Sequence, residues 1–210
     1  MLNILFASLP IFLFAIIIHE YSHGLVAYLL GDPTPKLYGR LTLNPLYHID
    51  IFGTLILPFI LIISHSPVVF GWAKPVPINS LNFKHPKRDI IWVGLSGPLA
   101  NLFIAIFFTL LLKLNLAFLN NAIIFIINLT IFINLVLAIF NLFPIPPLDG
   151  SKIIFGILPE RFSKFLLAIE PYGFIILIVL LWMGLINKII WPIVLYSAKI
   201  LSVLPLPEII

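Results

Sequence analysis

His19, Glu20 and His23 stand in the pattern H-E-x-x-H, two imidazoles four residues apart with a carboxylate beside the first. On a helix, residues i and i+4 lie one above the other on one face. Both imidazoles can then offer a nitrogen to one metal ion, with Glu20 one step round the helix beside the ion's open side. That is the arrangement of a zinc hydrolase, in which a carboxylate takes a proton from water activated by the metal. The motif sits in an apolar run, Ile11 to Ile18 before it and Leu25 to Leu30 after it. At membrane depth each such ionisable group costs roughly 2.5–3.5 kcal/mol without a compensating role. A polar cluster bonded between helices is the competing account, and the spacing together with that cost favours a metal.

The elements that must position these groups follow from a composition of 61% hydrophobic and 10% charged residues, with a mean hydropathy of +1.18. Soluble chains average about 45–50% apolar and about 25% charged. A chain of 210 residues this apolar has room for several spanning helices with short loops and no separate soluble domain. The predicted fold is an all-α polytopic membrane bundle of about five (four to six) transmembrane helices, with short extended or hairpin segments between the first and third. Residues 1–210 read as a single integral-membrane domain, with a catalytic core over 2–158 and additional helices over 159–210. The net charge of +4 reads as positive-inside loops, and no basic tract suggests nucleic acid. With no cysteine, disulfides and thiolate zinc sites are excluded, so ligands come from His, Asp or Glu. Met1 to Pro10 has no Lys or Arg before its apolar run and no small-residue cleavage site, which argues against a cleaved signal peptide.

In chain order, Leu2 to Leu30 is the first apolar segment, stopped by Gly31-Asp32-Pro33. At 1.5 Å per residue the motif lies roughly 10–16 Å from one membrane face. Thr34 to Asp50 is polar, with Lys36, Arg40 and an alternation around Leu41 and Leu43 that suits a short strand. Ile51 to Ile63 is apolar but short, fitting a span or a re-entrant helix equally well. Ser64 to Arg88 is proline-rich and basic (Lys74, Lys84, Lys87, Arg88), and predicts an extended or hairpin segment on the positive-inside face. Ile90 to Leu112 is a span whose Gly94, Gly97 and Ala100 suit close helix packing. Ala122 to Phe143 is another, with Asn128, Asn134 and Asn141 near one face, at least two of them expected to bond between helices. Pro144, Pro146 and Pro147 then break the backbone, which a membrane tolerates only where protein buries it or it lines a wet cavity. Lys152 to Glu170 suits the interface, with Glu160, Arg161 and Lys164 exposed. Phe174 to Ile186 is a further span candidate and Ile189 to Leu204 a weaker one.

A catalytic zinc site takes three protein ligands and keeps one position open. His65 and His85 lie in polar connections, Glu160 and Glu208 in exposed stretches, and Asp32 too far along the first helix from His19. Asp149 leads, at a broken turn after a long apolar helix. Pro147-Leu148-Asp149-Gly150-Ser151 also reads as a turn in which Asp149 caps a helix. His48 and Asp50 remain open as alternatives.

Taken together, these segments resemble the site-2 proteases, zinc metalloproteases that cut substrate helices within the membrane. The resemblance runs in order through His19-Glu20-Tyr21-Ser22-His23-Gly24, Gly39-Arg40-Leu41-Thr42-Leu43-Asn44-Pro45 with His48-Ile49-Asp50, and Gly53-Thr54. It continues through Phe70-Gly71-Trp72-Ala73-Lys74-Pro75-Val76-Pro77, Gly97-Pro98-Leu99-Ala100-Asn101, and Asn141 to Gly150. The chain is similar to the compact bacterial or archaeal branch without an inserted PDZ domain; Ile51 departs, standing where relatives often carry proline. The resemblance implies that Asp149 joins His19 and His23 in holding one Zn2+ ion, that Glu20 is the catalytic carboxylate, and that Asn141 holds the substrate or stabilises the oxyanion. It further implies a multi-pass protein of the cell membrane, embedded in the lipid bilayer, that cuts transmembrane-helix substrates in regulated intramembrane proteolysis. Such a substrate must unwind before attack, and an edge near Lys74 to Ile78 or Leu41 to Leu43 can pair with it by strand addition. The competing class is a metal-ion or proton transporter, since intramembrane His, Glu and Asp also mark ion paths. Transporters carry inverted repeats or paired broken helices, whereas this sequence has one broken segment and no repeat.

Overall fold

The computed structural model describes residues 2–64, 71–114 and 120–201. Nine α-helices occur among them: α1 (Leu2–Leu29), α2 (Thr34–Leu37), α3 (Leu57–Ile63), α4 (Pro86–Lys113), α5 (Asn121–Asn141), α6 (Asp149–Ile157), α7 (Glu160–Ile169), α8 (Gly173–Trp182) and α9 (Leu185–Ile200). No β-strand occurs among the described residues. Residues His65, Phe70 and Glu208, and the side chains of Glu160 and Lys164, lie outside the described set.

Among the described residues four helical stretches are long and apolar enough to cross a membrane: Ser8–Leu29, Pro86–Lys113, Asn121–Asn141 and Arg161–Trp182. The architecture is that of a multi-pass membrane protein, at the lower end of the expected number of spans. The last stretch starts earlier than the sequence suggested. α7 passes through a 3-10 turn (Glu170–Tyr172) into α8, joining the expected interfacial region to the apolar run after Phe174. Pro171 permits this because it opens the 3-10 turn, where a missing backbone N–H costs little.

α4 lies at the centre, packed against α1, α5 and α6. Its buried face carries Val93, Gly94, Gly97, Asn101, Ile104 and Ala105. The opposite face exposes Leu99, Leu102, Phe103, Ile106, Phe107 and Leu110 at the same three- and four-residue spacing. Water would penalise such a stripe, whereas hydrocarbon accepts it. Ala105, Ile127, Ile131, Leu135 and Ala198 join α4, α5 and α9 in one core. Leu148, Leu177, Ile190 and Val194 form a second, between the broken turn and the C-terminal helices.

The segment Ile51–Ile63 is a π-helical turn (Ile51–Ile56) followed by α3. Its two flanks are bonded to each other. His48 O accepts from Lys74 N at 2.9 Å, Gly53 O from Trp72 N at 3.1 Å, and Lys74 O from Arg40 Nη2. The stretches on either side of the segment therefore lie together. Asp32, just past α1, adds a tie to the same region through Asn79 N and Asn82 Nδ2, each at 2.7 Å. Burial pushes the Asp32 carboxyl upward, but hydrogen bonds from Thr34, Asn82 and Asn79 outweigh it and hold the group below its usual range.

No strand forms at Leu41–Leu43. His48 Nε2 donates to Thr42 O at 2.7 Å, taking the carbonyl that a neighbouring strand would need, and Pro45–Tyr47 closes into a 3-10 turn. The asparagines of α5 also behave differently from expectation. Asn128, Asn134 and Asn141 each turn Nδ2 onto the carbonyl four residues back, at Ile124, Thr130 and Leu137. That carbonyl is the nearest acceptor within the same helix. Of the three, Asn134 also reaches another helix, through its Oδ1.

Candidate metal centre

α1 continues through Pro10 to Leu29, so His19 and His23 stack on one face with ring centroids 4.6 Å apart. Asp149 arrives from far along the chain. After α5 the prolines stop the helix, the Pro146–Pro147 bond is cis, and α6 begins at Asp149 itself. Leu148 occupies the cap position, so the carboxylate of Asp149 is not spent on capping. Gly150 lets this turn press back against α5: a Cβ there would lie 2.2 Å from Leu142 O.

The three side chains converge. Asp149 Oδ2 lies 2.9 Å from His19 Nε2 and 3.0 Å from His23 Nε2, and the two Nε2 atoms are 3.0 Å apart. All three residues are buried. Among the described residues this is the one group of His, Cys, Asp and Glu spaced to hold a metal ion.

The surroundings decide which atoms face inward. His23 Nδ1 lies 2.7 Å from Val93 O, which can only accept, so Nδ1 carries the proton. His19 Nδ1 lies 2.7 Å from Asn101 Oδ1. Asn101 Nδ2 donates to Ala15 O at 3.1 Å and to Asn134 Oδ1 at 2.8 Å, and Asn134 Nδ2 donates to Thr130 O. That chain of donors fixes Asn101 Oδ1 as an acceptor and His19 Nδ1 as its donor. With Nδ1 donating in both rings, the neutral form of each presents its Nε2 lone pair to a carboxylate oxygen. At this separation the three atoms need a proton or a metal ion among them. Two imidazole nitrogens and one carboxylate oxygen, with both Nδ1 atoms held by acceptors, form a donor set that suits zinc and leaves a coordination position open.

α4 closes the centre from the side. A Cβ on Gly97 would lie 2.5 Å from His23 Nε2 and 2.7 Å from His19 Nε2. Lys152 Nζ donates to Asp149 Oδ1 at 2.8 Å, binding the oxygen that faces away from the histidines. Lys152 also borders a cavity of about 230 Å³ lined with Ile78, Ser80, Pro146, Ser151 and Glu170.

Glu20 is half-buried, and its Oε2 accepts from Val76 N at 2.9 Å. Val76 belongs to the irregular segment over 71–79, where Pro75 and Pro77 have no N–H. Of the N–H groups between Lys74 and Ile78, those of Lys74 and Val76 are already bonded within the chain. A strand added along this stretch would have to displace them. The alternatives to Asp149 are occupied elsewhere: His48 donates to Thr42 O, and Asp50 caps the π-helical turn through Gly53 N at 2.7 Å. His85 sits at the N-terminal cap of α4. Asn141 stands at the end of α5 with its amide on Leu137 O at 3.0 Å.

Sequence reasoning assigned no individual role to Asn101, Val93, Lys152 or Val76. Asn101 carried a signal, being polar in an apolar helix and four residues from Gly97, hence on the same face. The carbonyl of Val93 and the N–H of Val76 are backbone groups that no residue type announces.

Residues 111–184 match the family model of peptidase family M50. The chain is 40% identical over 181 residues to "Putative zinc metalloprotease YwhC" of Bacillus subtilis (strain 168), across 83% of this chain and 79% of that protein. It is 32% identical over 180 residues to "Putative zinc metalloprotease Rip2" of Mycolicibacterium smegmatis (strain ATCC 700084 / mc(2)155), across 84% of this chain and 66% of that protein. No solved structure matches the chain.

Proposed function

Since the chain belongs to peptidase family M50 and is a zinc metalloprotease built on membrane-spanning helices, we propose that it hydrolyses a peptide bond within or near a transmembrane segment of a membrane protein. His19, His23 and Asp149 would hold one zinc ion, and Glu20 would carry the proton. The observation behind this reading is the convergence of His19 Nε2, His23 Nε2 and Asp149 Oδ2 within 3.0 Å, on helices whose outer faces are apolar. His23 and His19 lie six and ten residues before the end of α1, which is about 9–15 Å below that membrane face. Lys36, Lys74, Lys84 and Arg88 are exposed near that end of α1, and such an excess of cations supports a cytoplasmic side of a cell membrane there.

Zinc supplies Lewis acidity, which acidifies water and polarises the scissile carbonyl. The remaining work belongs to the protein. Glu20 is steadied by Val76 N on Oε2, which leaves Oε1 to take the proton from water and pass it to the leaving amine. Asn101 and the Val93 carbonyl keep both imidazoles in the tautomer that presents Nε2. Asn141 spends one N–H on Leu137 O and has a second for a substrate carbonyl or oxyanion. Such a protease fits intramembrane steps of regulated proteolysis, with residues 1–210 acting as one peptidase domain.

The test is cleavage of a transmembrane-helix substrate in liposomes by wild type and Glu20→Gln. The variant is expected to retain one zinc per chain and to lose about 10²–10⁴-fold in rate. Undiminished cleavage by Glu20→Gln would remove the proton-transfer role, and zinc flux dependent on His19 would favour a transporter instead.

A further inference from the structure

A carboxylate can ligate zinc through one oxygen or through both. If both oxygens of Asp149 turned inward, the second would add a fifth ligand beside the water and weaken the ion's hold on that water. Lys152 stands in the way of that rotation. Its Nζ is 2.8 Å from Asp149 Oδ1, while Oδ2 is the oxygen 2.9 and 3.0 Å from the two imidazoles. We propose that Lys152 is a positioning residue, whose ammonium holds Asp149 Oδ1 and so makes Asp149 a one-oxygen ligand. This inference rests on His19, His23 and Asp149 being the metal ligands.

Three observations carry it. Lys152 is the i+3 neighbour of Asp149 on the first turn of α6, so the backbone brings the pair together. The stem of Lys152 is held by close packing on α4, where a Cβ at Gly94 would lie 3.1 Å from Lys152 Cβ and 3.0 Å from Asp149 O. The Asp149 side chain is 5% exposed and that of Lys152 35%. The carboxylate therefore has little water to hold Oδ1 in the ammonium's place. An ordinary exposed i, i+3 pair is a weak helix contact. Here the ammonium also decides which oxygen is free.

Cobalt(II) substituted for zinc reports coordination number through its visible absorption, which is strong for four ligands and weaker for five. Lys152→Met should give the weaker, five-coordinate spectrum and lower proteolysis about 10–100-fold. Lys152→Arg, which can still donate to Oδ1, should restore the wild-type spectrum. If Lys152→Met does not give a cooperative melt in detergent, Lys152→Leu replaces it with different packing. A wild-type cobalt spectrum in a folded Lys152→Met or Lys152→Leu protein overturns the inference. Asp149→Ala separates the two levels. If it loses cobalt while the Lys152 variants look like wild type, only the role of Lys152 falls. If Asp149→Ala binds cobalt with the wild-type spectrum, the ligand set falls and takes Lys152 with it.

Discussion

Asn101 decides which nitrogen of His19 faces the centre, and it can do so because its own amide cannot flip. Nδ2 is committed to Ala15 O and Asn134 Oδ1, so Oδ1 alone is left for His19 Nδ1 at 2.7 Å. Asn101→Ala leaves a buried imidazole N–H without that acceptor and frees the tautomer. Zinc affinity should fall about 10–100-fold, read by competition with a chromophoric chelator. Unchanged affinity would mean that ring packing alone orients His19. Asn134→Ala acts one bond further out, by loosening the amide of Asn101, and should cost less. For His23 the shorter Nδ1 contact is the backbone carbonyl of Val93 at 2.7 Å, with Ser96 Oγ a second partner at 3.2 Å, so a side-chain substitution at Ser96 removes only the longer contact.

The helices impose a different constraint, which is how closely they approach. α4 presents Gly94 to the start of α6 and Gly97 to the two histidines of α1, so one glycine-bearing face serves both contacts. Gly97→Ala separates site from scaffold. Alanine favours helix over glycine by about 1 kcal/mol, so α4 itself should gain. Its methyl would nevertheless stand 2.5 Å from His23 Nε2, where no relaxation of a flexible side-chain tip is available. Helicity by circular dichroism should persist while bound zinc and activity are lost. A fully zinc-loaded, active Gly97→Ala protein would show that α1 and α4 can move apart.

Across the whole molecule, the site is shut in by a face assembled from distant segments. Asp32 ties the end of α1 to Asn79 and Asn82, Arg40 ties the first connection to Lys74, and Val76 reaches Glu20. From these ties we expect both connections to share a side, with Ile51–Ile63 dipping in and out between them. The chain has no cysteine, so a single introduced cysteine reports its side cleanly. Cysteines at Tyr47 and Lys84, both exposed, should react with a membrane-impermeant maleimide from the same side of sealed vesicles. Reaction from opposite sides would make the segment a true span and reverse the orientation of every later helix.

The all-helical membrane architecture and the paired histidines were legible in the sequence, because both depend on local information. Apolar runs declare spans by length, and i, i+4 spacing declares a shared face whatever surrounds it. Asp149 was legible only as the leading candidate among several, since spacing along the chain does not say which carboxylate folds back 126 residues to His23. Tertiary structure decided that, along with the bonding of the two stretches that flank Ile51–Ile63 and the Nδ1 partners Asn101 and Val93. It also decided against the expected strand at Leu41–Leu43, where His48 took the Thr42 carbonyl. Each of these turns on which donor meets which acceptor across segments far apart in sequence, or on a backbone atom that residue identity does not encode. Local propensity sets the pieces, and only the packed arrangement assigns their hydrogen bonds.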